Sequence, residues 1–375
     1  MSKNIIDLID MKRVKENENF EDGYYHILKD MIDYPDAGVY VIWSKRGPGK
    51  TYGALWAFLY LGIQAMYMKR TNDDTHLLCQ FSNVEGDDEN DPSPYKPIND
   101  DKGLNIKPVE IEKGYGAFYH CDQDNKPSGT PVSYLVSLNA IKKVKGMSFR
   151  GVKVMIMDEF IPLNGERVLH AEGDMLLDLY MSILRDRVKR GEPEIKLLLF
   201  ANAENISCPI TRAFNLIDDI YDMRAEGEHI KYLPERKVLL HHLEPDKYPT
   251  LGDDLSIAAL MKGTAWYDKT FGGDFSNNDF SMIVRKKSIK RFTPVVSVKY
   301  QNRYATIYRK GARLHMCDTF AKAAPLFDLD IEADQQKFYW EYLTEFRFDV
   351  MDKQITFQKY SYYDLFRNYK NYYKV

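Results

Sequence analysis

An apolar run, a glycine-rich loop and a second apolar segment of helical length, in that order, most constrain how this chain can fold. Ala37–Trp43 (AGVYVIW) is rich in β-branched residues, as buried strands are. The loop SKRGPGK and the segment TYGALWAFLYLGI follow, and Gln64–Lys69 (QAMYMK) has strand character again. This order predicts a βαβ unit, and hence an α/β domain built on a parallel sheet.

The loop fits a phosphate-binding pattern. SKRGPGKT, which starts at Ser44, matches Gly, four residues and Gly-Lys-Ser/Thr, except that serine replaces the first glycine. Gly47 and Gly49 let backbone N–H groups curl around phosphate oxygens, and the helix N-terminus adds a positive dipole. Lys50 is expected to reach the β- and γ-phosphates and the Thr51 hydroxyl to bind Mg²⁺. The pattern therefore predicts a site for ATP with Mg²⁺.

A second motif follows at domain-scale separation. Val154–Phe160 (VMIMDEF) is an apolar strand that ends in two acids, the Walker B pattern. Asp158 would hold Mg²⁺ through water, and Glu159 would orient and polarise the attacking water. A helix cap or a surface turn would explain the acidic pair alone, but the phosphate loop upstream favours ATP hydrolysis.

Further elements place two polar candidates. Strands are predicted at Ser133–Leu138 and Ile195–Phe200, and a helix with one buried face at Gly173–Arg187. Asn202 follows the last strand and is either a turn residue or a sensor of the γ-phosphate. Arg46, inside the loop, is either a surface salt-bridge residue or a phosphate sensor.

Two arginines lie at the end of the predicted helix. Arg185 and Arg187 are cations at a helix C-terminus, where they are favourable without any further role. Either would also suit an arginine finger, which one subunit inserts against the phosphates bound by its neighbour. Arg185 is the first choice, and this role requires a ring or another partner.

Composition limits the remaining alternatives. The 375 residues suffice for two domains, and 52 Lys+Arg against 55 Asp+Glu give a net charge of -3. A uniformly basic surface is therefore excluded, and any nucleic-acid contact needs local patches. The four cysteines lie far apart, which argues for a reducing compartment and against a zinc site. No signal peptide is evident, and the apolar runs are too short to cross a bilayer, so no membrane contact is expected.

The second half of the chain changes character. The α/β alternation stops near residue 207, and 208–250 mixes helix-like segments with Pro and Gly, as a linker would. Closely spaced strands then predict a β-meander, at Val295–Tyr300, Tyr304–Tyr308 and Arg313–Cys317. Helices complete this part, around Gln335–Glu345 and Tyr362–Tyr372.

These changes predict three domains, at 1–207, 208–250 and 251–375. Within the first, the acidic, proline-containing segment Glu85–Lys102 is expected to be a solvated excursion without chemistry. The tyrosine-rich C-terminus is expected to pack as a helix and not to stack on bases.

A basic run lies in the third domain. From Arg285 to Arg313 the chain has ten basic residues and no Asp or Glu. Basic residues interleaved with Tyr and Phe suit a phosphate backbone that is bound without sequence reading. The first candidates for DNA binding are Lys286, Lys287, Lys290 and Arg291. A solvated basic face is the alternative, and the pattern does not decide between duplex DNA and a scaffold RNA.

At these motifs the chain resembles the phi-29-like bacteriophage DNA-packaging ATPases. VIWSKRGPGKTYG is similar to the family's strand and Walker A with its internal arginine, and VMIMDEFIP to its Walker B, which also continues Asp-Glu-Phe-Ile. ILRDR, followed by a strand and ANA, resembles the arginine-finger helix and the coupling asparagine. SVKYQNRYATIY, and FRFD with Gln354, resemble the C-terminal domain. The resemblance covers most of the chain.

The resemblance implies a P-loop ATPase domain of the additional-strand, catalytic-Glu type, a small linker and an α+β C-terminal domain with a degenerate RNase H-like fold. It implies a homopentameric ring on the portal vertex of an empty capsid, which uses ATP to pump double-stranded DNA inward. The protein would act in the host cytoplasm, sit transiently on the prohead and be absent from the mature virion.

The resemblance also assigns roles to single residues. Hydrolysis would be carried by Lys50, Thr51, Asp158 and Glu159. Coupling to motion and action on a neighbour would fall to Arg46, Asn202 and Arg185. Further basic residues match a lid element and a lysine before Walker B, and are candidate DNA contacts: Lys69, Arg70 and Lys145.

Two departures from the family stand out. Ser44 stands where glycine is usual, so a differently shaped start of the loop is expected, without loss of activity. The segment Glu85–Lys102 has no counterpart in the family. The strand VVSVKY also lacks the first acid that a two-metal nuclease needs, so no nuclease activity is expected. The nearby acids are interpreted as surface residues: Asp318, Asp328, Asp330 and Glu332.

Other functions fit parts of the same pattern. A P-loop helicase or a DNA translocase unrelated to packaging shares the ATPase motifs. A nucleotide-switched assembly protein would hydrolyse ATP slowly and independently of DNA. A nucleotide kinase is disfavoured, because it has no use for the meander and the basic run.

Overall fold

The computed structural model describes residues 23–82, 90–163, 165–166, 168–185, 187–244, 246–248, 255–264 and 278–372, together with Tyr267, Thr270 and Phe275. The chain divides into two compact units. The first comprises Met1–Phe214 and Met223–Asn277, and the second Asn215–Asp222 and Asn278–Val375. Among the described residues, no helix combines the length and apolar content that crossing a bilayer needs.

The described residues of the first unit form a nine-stranded sheet. Its strands are β1 (Val39–Ser44), β2 (Ala65–Lys69), β3 (Ile106–Glu112), β4 (Tyr115–Cys121), β5 (Pro127–Ser137), β6 (Val154–Asp158), β7 (Lys196–Asn202), β8 (Ile230–Leu233) and β9 (Val238–His242). Their order in space is β3-β4-β5-β2-β6-β7-β1-β9-β8. The central strands from β5 to β9 pair in parallel, and the strands at both edges pair antiparallel.

Helices cover the sheet of the first unit. They are α1 (Ile27–Asp33), α2 (Lys50–Tyr60), α3 (Asn72–Phe81), α4 (Lys96–Lys102), α5 (Ile141–Val144), α6 (Glu172–Leu184), α7 (Pro209–Ala213), part of α8 (Ile217–Glu226) and α9 (Ser256–Met261). The central strands β1, β6 and β7 are nearly continuous apolar runs because both of their faces are buried. Tyr40, Ile42, Ile156 and Phe200 lie in one apolar core with Phe58 of α2.

The predicted central strands and helices are confirmed, with small changes at their ends. The helix predicted at Gly173–Arg187 runs from Glu172 to Leu184 and so stops before both arginines. The hairpin of β3 and β4 was not predicted. β3 contains Pro108 and β4 contains Gly116, and both residue types weaken the strand signal.

The acidic segment Glu85–Lys102 differs in part from the expected excursion. Residues 83–89 lie outside the described chain, but α4 is helical, and Asp91 is buried with its carboxylate 3.3 Å from the Lys107 ammonium. The end of this segment is therefore anchored to β3. The partner, Lys107, lies outside the segment, so the composition of the segment does not reveal the pairing.

The structure also differs from the predicted division at residues 208–250. That segment contains β8 and β9, and β9 pairs in parallel with β1, Val39 opposite Val238, so this part of the chain extends the nine-stranded sheet. Thr250 is not the limit of the first unit either, because the unit continues to Asn277. In the sequence, the alternation of strand and helix seems to stop near residue 207. The short strand Val238–His242 nevertheless joins the sheet, because it pairs with β1, which lies about 200 residues earlier in the chain.

The second unit has a sheet of its own. Its strands are β10 (Thr293–Tyr300), β11 (Arg303–Lys310), β12 (Arg313–Cys317), β13 (Leu326–Asp328) and β14 (Ile355–Phe357), in the spatial order β13-β10-β11-β12-β14. The meander of β10, β11 and β12 is antiparallel, as predicted, while β13 and β14 add in parallel at the two edges.

Helices complete the second unit. They are α10 (Glu332–Phe338), a π-helical turn (Tyr339–Leu343), α11 (Thr344–Met351) and α12 (Tyr360–Arg367). Tyr360, Tyr362 and Tyr363 of α12 are buried, which confirms that the tyrosine-rich C-terminus packs as a helix.

Gly173 provides a test of the packing between α6 and α7. A Cβ atom at Gly173 would lie 2.3 Å from the Ala213 Cβ and 2.6 Å from the Pro209 carbonyl oxygen. We expect Gly173→Ala to lower the free energy of unfolding by about 2 kcal/mol in denaturant titrations, because backbone has to move. Asp178→Ala, on the exposed face of α6, is the control. Since alanine favours helices, a stability that is unchanged or higher would contradict this close contact.

Candidate active site

Four neighbouring parallel strands bring their ends together at one edge of the sheet. In spatial order they are β2, which ends at Lys69, β6 at Asp158, β7 at Asn202 and β1 at Ser44. Ser44 lies directly opposite Asn202 in the register of β1 and β7. Ligands of open α/β sheets bind beyond the carboxyl ends of the strands, so this edge is where a site is expected.

A cavity of about 360 Å³ opens at this edge. Its lining residues are Arg46, Gly47, Pro48, Gly49, Lys50, Thr51, Tyr52, Asp158, Glu159, Ala201 and Asn202. The structure therefore brings together the phosphate loop from Arg46 to Thr51, the acidic pair and the sensor asparagine.

The phosphate loop has the backbone conformation that its glycines allow. Gly47 has φ 100° and Gly49 φ 91°, both in the left-handed region that favours glycine. α2 begins directly after Gly49, and no side chain caps its first turn, so its N–H groups are placed to meet an anion. The Tyr25 N–H donates to the Pro48 carbonyl at 2.8 Å, which holds the loop against the chain that precedes β1.

Lys50 is buried at the floor of the cavity, with 8% of its surface exposed. Its ammonium donates to the Ser44 hydroxyl at 2.5 Å and lies 3.5 Å from the side-chain amide oxygen of Asn202. Burial lowers the pKa of Lys50 to about 8, although Asp158 and Glu159 favour its charged form. A positive charge held in this way needs an anionic partner, which phosphate oxygens would supply.

The two acids of the second motif have different environments. The Asp158 carboxylate accepts a hydrogen bond from the buried Tyr67 hydroxyl at 2.9 Å and is half-buried. Glu159 is exposed and has φ 54°, an unusual conformation for a residue other than glycine. Lys69 contacts both, with its ammonium 3.6 Å from Glu159 Oε2 and 4.0 Å from Asp158 Oδ2. Both carboxylates line the cavity, and Asp158 is held in place by the tyrosine while Glu159 is the more exposed.

Tyr67 was not among the predicted site residues. Its hydroxyl orients Asp158, and burial, followed by the charge of Asp158, raises the pKa of Tyr67 well above its usual range, so the hydroxyl keeps its proton. A signal for it exists in the sequence. Side chains two residues apart in a strand share a face, so Tyr67 had to point to the same side as Lys69.

The donor set fits Mg²⁺ bound together with a nucleotide. Mg²⁺ prefers oxygen ligands, keeps several waters and is usually held by one or two protein groups plus phosphates. Thr51, at the start of α2, and Asp158, at the end of β6, line the same cavity and supply such oxygens.

The two candidate arginine fingers are clearly distinguished. Arg187 is 1% exposed, and its guanidinium donates to the carbonyl oxygens of Phe149, at 3.3 Å, and Arg150. Arg187 therefore holds the chain that leads into β6 and is unavailable to a neighbour. The prediction that Arg187 could be the arginine finger is thus wrong. Arg185 is exposed where α6 ends.

Arg185 lies toward the amino-terminal ends of the central strands, whereas the cavity of the same chain lies at their carboxyl ends. Near its end, α6 is tied to the amino-terminal side of the sheet, because the Tyr180 hydroxyl donates to the carbonyl of Ile195, just before β7, at 3.0 Å. A seven-residue strand spans about 23 Å, which is too far for an arginine side chain to reach back. Any role of Arg185 at a phosphate must therefore be at another subunit.

Two basic candidates near the site also differ from each other. Arg70 is buried, pairs with both oxygens of Glu172 at 3.1 Å and lies 2.8 Å from Glu166, so it ties β2 to α6 and is not exposed to DNA. This corrects the expected DNA contact. Lys145 is exposed, and its ammonium lies 3.8 Å from the Asp178 carboxylate.

The basic run of the second unit is partly neutralised by acids from elsewhere in the chain. Its ion pairs are Arg285–Asp222, Lys299–Asp328 at 2.6 Å, Arg303–Asp218 at 3.6 Å and Arg309–Glu345 at 3.3 Å. The Lys287 ammonium donates to the Thr356 hydroxyl at 2.8 Å. The run also includes exposed basic residues: Lys286, Lys290, Arg291, Lys310 and Arg313.

Some of these cations form a cluster around one ring. The ammonium groups of Lys287 and Lys310 lie 5.9 Å and 6.0 Å from the centre of the Phe292 ring. Arg313 pairs with Lys310 in the register of β11 and β12 and is close enough to Lys287 to lower its pKa, together with burial as the larger cause. We call Lys287, Lys310 and Arg313 the basic cluster.

This fold is the fold of phage packaging-motor proteins. The chain is similar to the Phi-28 gp11 DNA packaging motor, at 14% identity and a TM-score of 0.57, over 94% of this chain and 98% of that chain. It is also similar to the packaging protein in the bacteriophage Phi-29 viral genome packaging motor assembly, at 16% identity and a TM-score of 0.56, over 92% and 98%. No protein-family model and no curated protein matches the chain. The resemblance predicted from the motifs is thus confirmed at the level of the fold.

Glu159 allows a direct test of the site. We expect Glu159→Gln to lower the rate of ATP hydrolysis about a thousandfold, because a neutral amide cannot polarise the attacking water. Nucleotide binding should persist, since the phosphate loop is unchanged. Steady-state phosphate release and equilibrium binding measure the two effects. Glu112→Gln, on the edge strand β3, should change neither, and a Glu159→Gln variant of ordinary activity would refute the assignment.

Proposed function

We propose that this protein is an ATP-driven motor that moves double-stranded viral DNA into a preformed capsid, as a ring on the portal vertex. The observation that carries the proposal is the convergence of the phosphate loop, the acidic pair and Asn202 on one cavity, in a chain with the fold of packaging-motor proteins. The substrate is ATP, with Mg²⁺ as the cofactor.

Each residue of the site has a part in the hydrolysis that we propose. The loop N–H groups and Lys50 bind the phosphates, and Thr51 and Asp158 would hold Mg²⁺, which neutralises charge on the phosphate oxygens. Glu159 orients and polarises the attacking water. Asn202, 3.5 Å from the Lys50 ammonium, is placed to sense what occupies the phosphate position. Arg46 lines the same cavity, where its charge would respond to the phosphates.

Ring assembly is supported by two unlike apolar surfaces on the first unit. On α6, Leu177 and Met181 are exposed and four residues apart, so they share one side of the helix, and Arg185 follows directly after the helix ends. A cavity of about 500 Å³ beside Glu159 is lined by exposed apolar side chains, among them Leu77, Phe81 and Leu163, and by several acids, Asp74, Glu166 and Glu204.

These two surfaces complement each other in chemistry. Apolar side chains followed by a cation on α6 of one subunit suit an apolar groove that ends at carboxylates in the next. Such a contact joins two different patches and is therefore head-to-tail, the type of interface that closes into rings. It would also bring Arg185 to the phosphates of the neighbour. A pentamer is the ring size that the family resemblance implies.

Met181 tests this interface. We expect Met181→Asp to reduce ring formation in sedimentation velocity and to lower ATP hydrolysis at least tenfold, because a charge would be buried against the apolar groove. Met351→Asp replaces another exposed methionine, in the second unit, and should alter neither property. Assembly of Met181→Asp at normal affinity would rule out this face.

The basic cluster is the part of the basic run that best suits a nucleic acid. It is contiguous, carries an aromatic ring and lies beside a cavity of about 420 Å³ lined by Arg285, Lys286, Lys287 and His315. Burial and Lys287 lower the pKa of His315 to about 4, so this histidine is neutral and the lysines and arginine carry the charge. Lys286, Lys290 and Arg291 extend the surface. Duplex DNA is the proposed ligand, and a scaffold RNA would use the same chemistry.

Steady-state ATP hydrolysis, measured with and without long double-stranded DNA, tests the proposed function. We expect DNA to stimulate ATP turnover. Lys310→Ala/Arg313→Ala should weaken DNA binding about tenfold and make the slope of log K against log[salt] less steep by about two. Turnover without DNA should stay normal in this variant. Lys322→Ala/Lys337→Ala, which removes two other exposed lysines, is the control. Turnover indifferent to DNA would instead favour the nucleotide-switched assembly protein, and strand displacement would favour a helicase.

We further infer that the second unit is a degenerate RNase H-like domain without nuclease activity. In support, Lys299 of β10 pairs with Asp328 of β13 at 2.6 Å, so an ammonium neutralises a carboxylate at the junction of these parallel strands. The protein would act in the host cytoplasm, bound transiently to the prohead, and be absent from the mature virion.

A further inference from the structure

Ser44 occupies the position where the phosphate-loop pattern has glycine, and its side chain makes two hydrogen bonds. Ser44 ends β1 and is 1% exposed. Its hydroxyl lies 2.5 Å from the neighbouring Lys45 carbonyl, to which it donates, and 2.5 Å from the Lys50 ammonium, from which it accepts. The directions are compatible, because the single hydroxyl proton goes to the carbonyl and the oxygen lone pairs remain for the ammonium.

Among the hydrogen-bond partners of Lys50 in the described part of the chain, this hydroxyl is the nearer to the ammonium. The other hydrogen-bond partner, Asn202, is 3.5 Å away, beyond the range of a strong bond. A buried charge without a close partner is costly, so the hydroxyl stabilises the charged lysine in the site without nucleotide. A glycine at position 44 would provide no such oxygen.

We propose that Ser44 is a latch that holds the phosphate-loop lysine when the site is empty, and that ATP or ADP must displace it to bind. The inference rests on the proposed function, because it assumes that nucleotide phosphates are the ligand of Lys50. It assigns to Ser44 a positioning role that glycine in the same position cannot have.

The latch has a definite energetic sign. Phosphate oxygens carry negative charge and accept stronger hydrogen bonds from an ammonium than a neutral hydroxyl does. Lys50 therefore exchanges Ser44 for the nucleotide on binding, and the hydroxyl stabilises the empty form more than the loaded form. A stabilised empty form weakens nucleotide affinity and favours product release.

Ser44→Ala tests the latch through binding. We expect the variant to bind ADP about tenfold more tightly than the unmodified chain and to release it about tenfold more slowly. ATP should behave likewise in a Glu159→Gln background, where it is not hydrolysed. AMP, which lacks the β- and γ-phosphates, should show no gain. Ser44→Thr keeps a hydroxyl and should restore the original affinity. Fluorescent-nucleotide titration and stopped-flow displacement measure these values.

Thermal melting separates the latch from a merely structural hydroxyl. Ser44→Ala should lower the melting temperature of the nucleotide-free protein but not that of the protein saturated with ADP and Mg²⁺. Ser133→Ala removes a buried hydroxyl of β5 that bonds Tyr95 at 3.0 Å, away from the cavity, and should lower both equally.

The outcomes discriminate between the two proposals. Unchanged or weaker ADP binding by Ser44→Ala, with normal binding by the original chain, would overturn the latch and leave the proposed function standing. Equal destabilisation of the empty and loaded forms would overturn it as well. Absence of nucleotide binding by the original chain would overturn the proposed function and the latch together.

Discussion

The parallel alignment of β2, β6, β7 and β1 is the constraint on which the site depends. Because these strands run in one direction and in register, their last residues meet at one edge, although they lie far apart in sequence. Ser44 and Asn202 come to lie opposite each other for this reason alone. A register slip of one residue would turn each side chain to the other face of the sheet, so the apolar residues that fix the register also fix the chemistry.

Local motifs could be predicted, and pairings between distant segments could not. The phosphate loop and the Asp158–Glu159 pair are each encoded within a few residues, with strand and helix signals beside them. The position of β9 next to β1 depends on contacts between residues some 200 positions apart, so Val238–His242 looked like part of a linker. The basic run misled in a similar way, because Asp218, Asp222 and Glu345 neutralise it from outside its own sequence.

Burial separated residues that the sequence presented as equivalent. Arg185 and Arg187 have the same chemistry and nearly the same position, and Lys69 and Arg70 are adjacent. In the fold, Arg187 and Arg70 turn inward, Arg187 to backbone carbonyls and Arg70 to a carboxylate. Arg185 and Lys69 remain able to meet a ligand. An inward arginine is costly to remove, because its partners would be left unpaired, so loss of activity on mutation would not by itself identify a catalytic arginine.

The charges that line the cavity explain why the proposed latch would be useful there. Lys50, Lys69 and Arg46 face two carboxylates, Asp158 and Glu159, so the site carries an excess of positive charge that a nucleotide with Mg²⁺ would offset. Lys69 already contacts both carboxylates, which leaves the buried Lys50 to depend on neutral oxygens. A motor must release ADP in every cycle, and a binding site optimised only for phosphate would slow that step. A hydroxyl that takes back the lysine as phosphate leaves lowers the cost of release, so serine in place of glycine would tune the cycle without altering the groups that carry out hydrolysis.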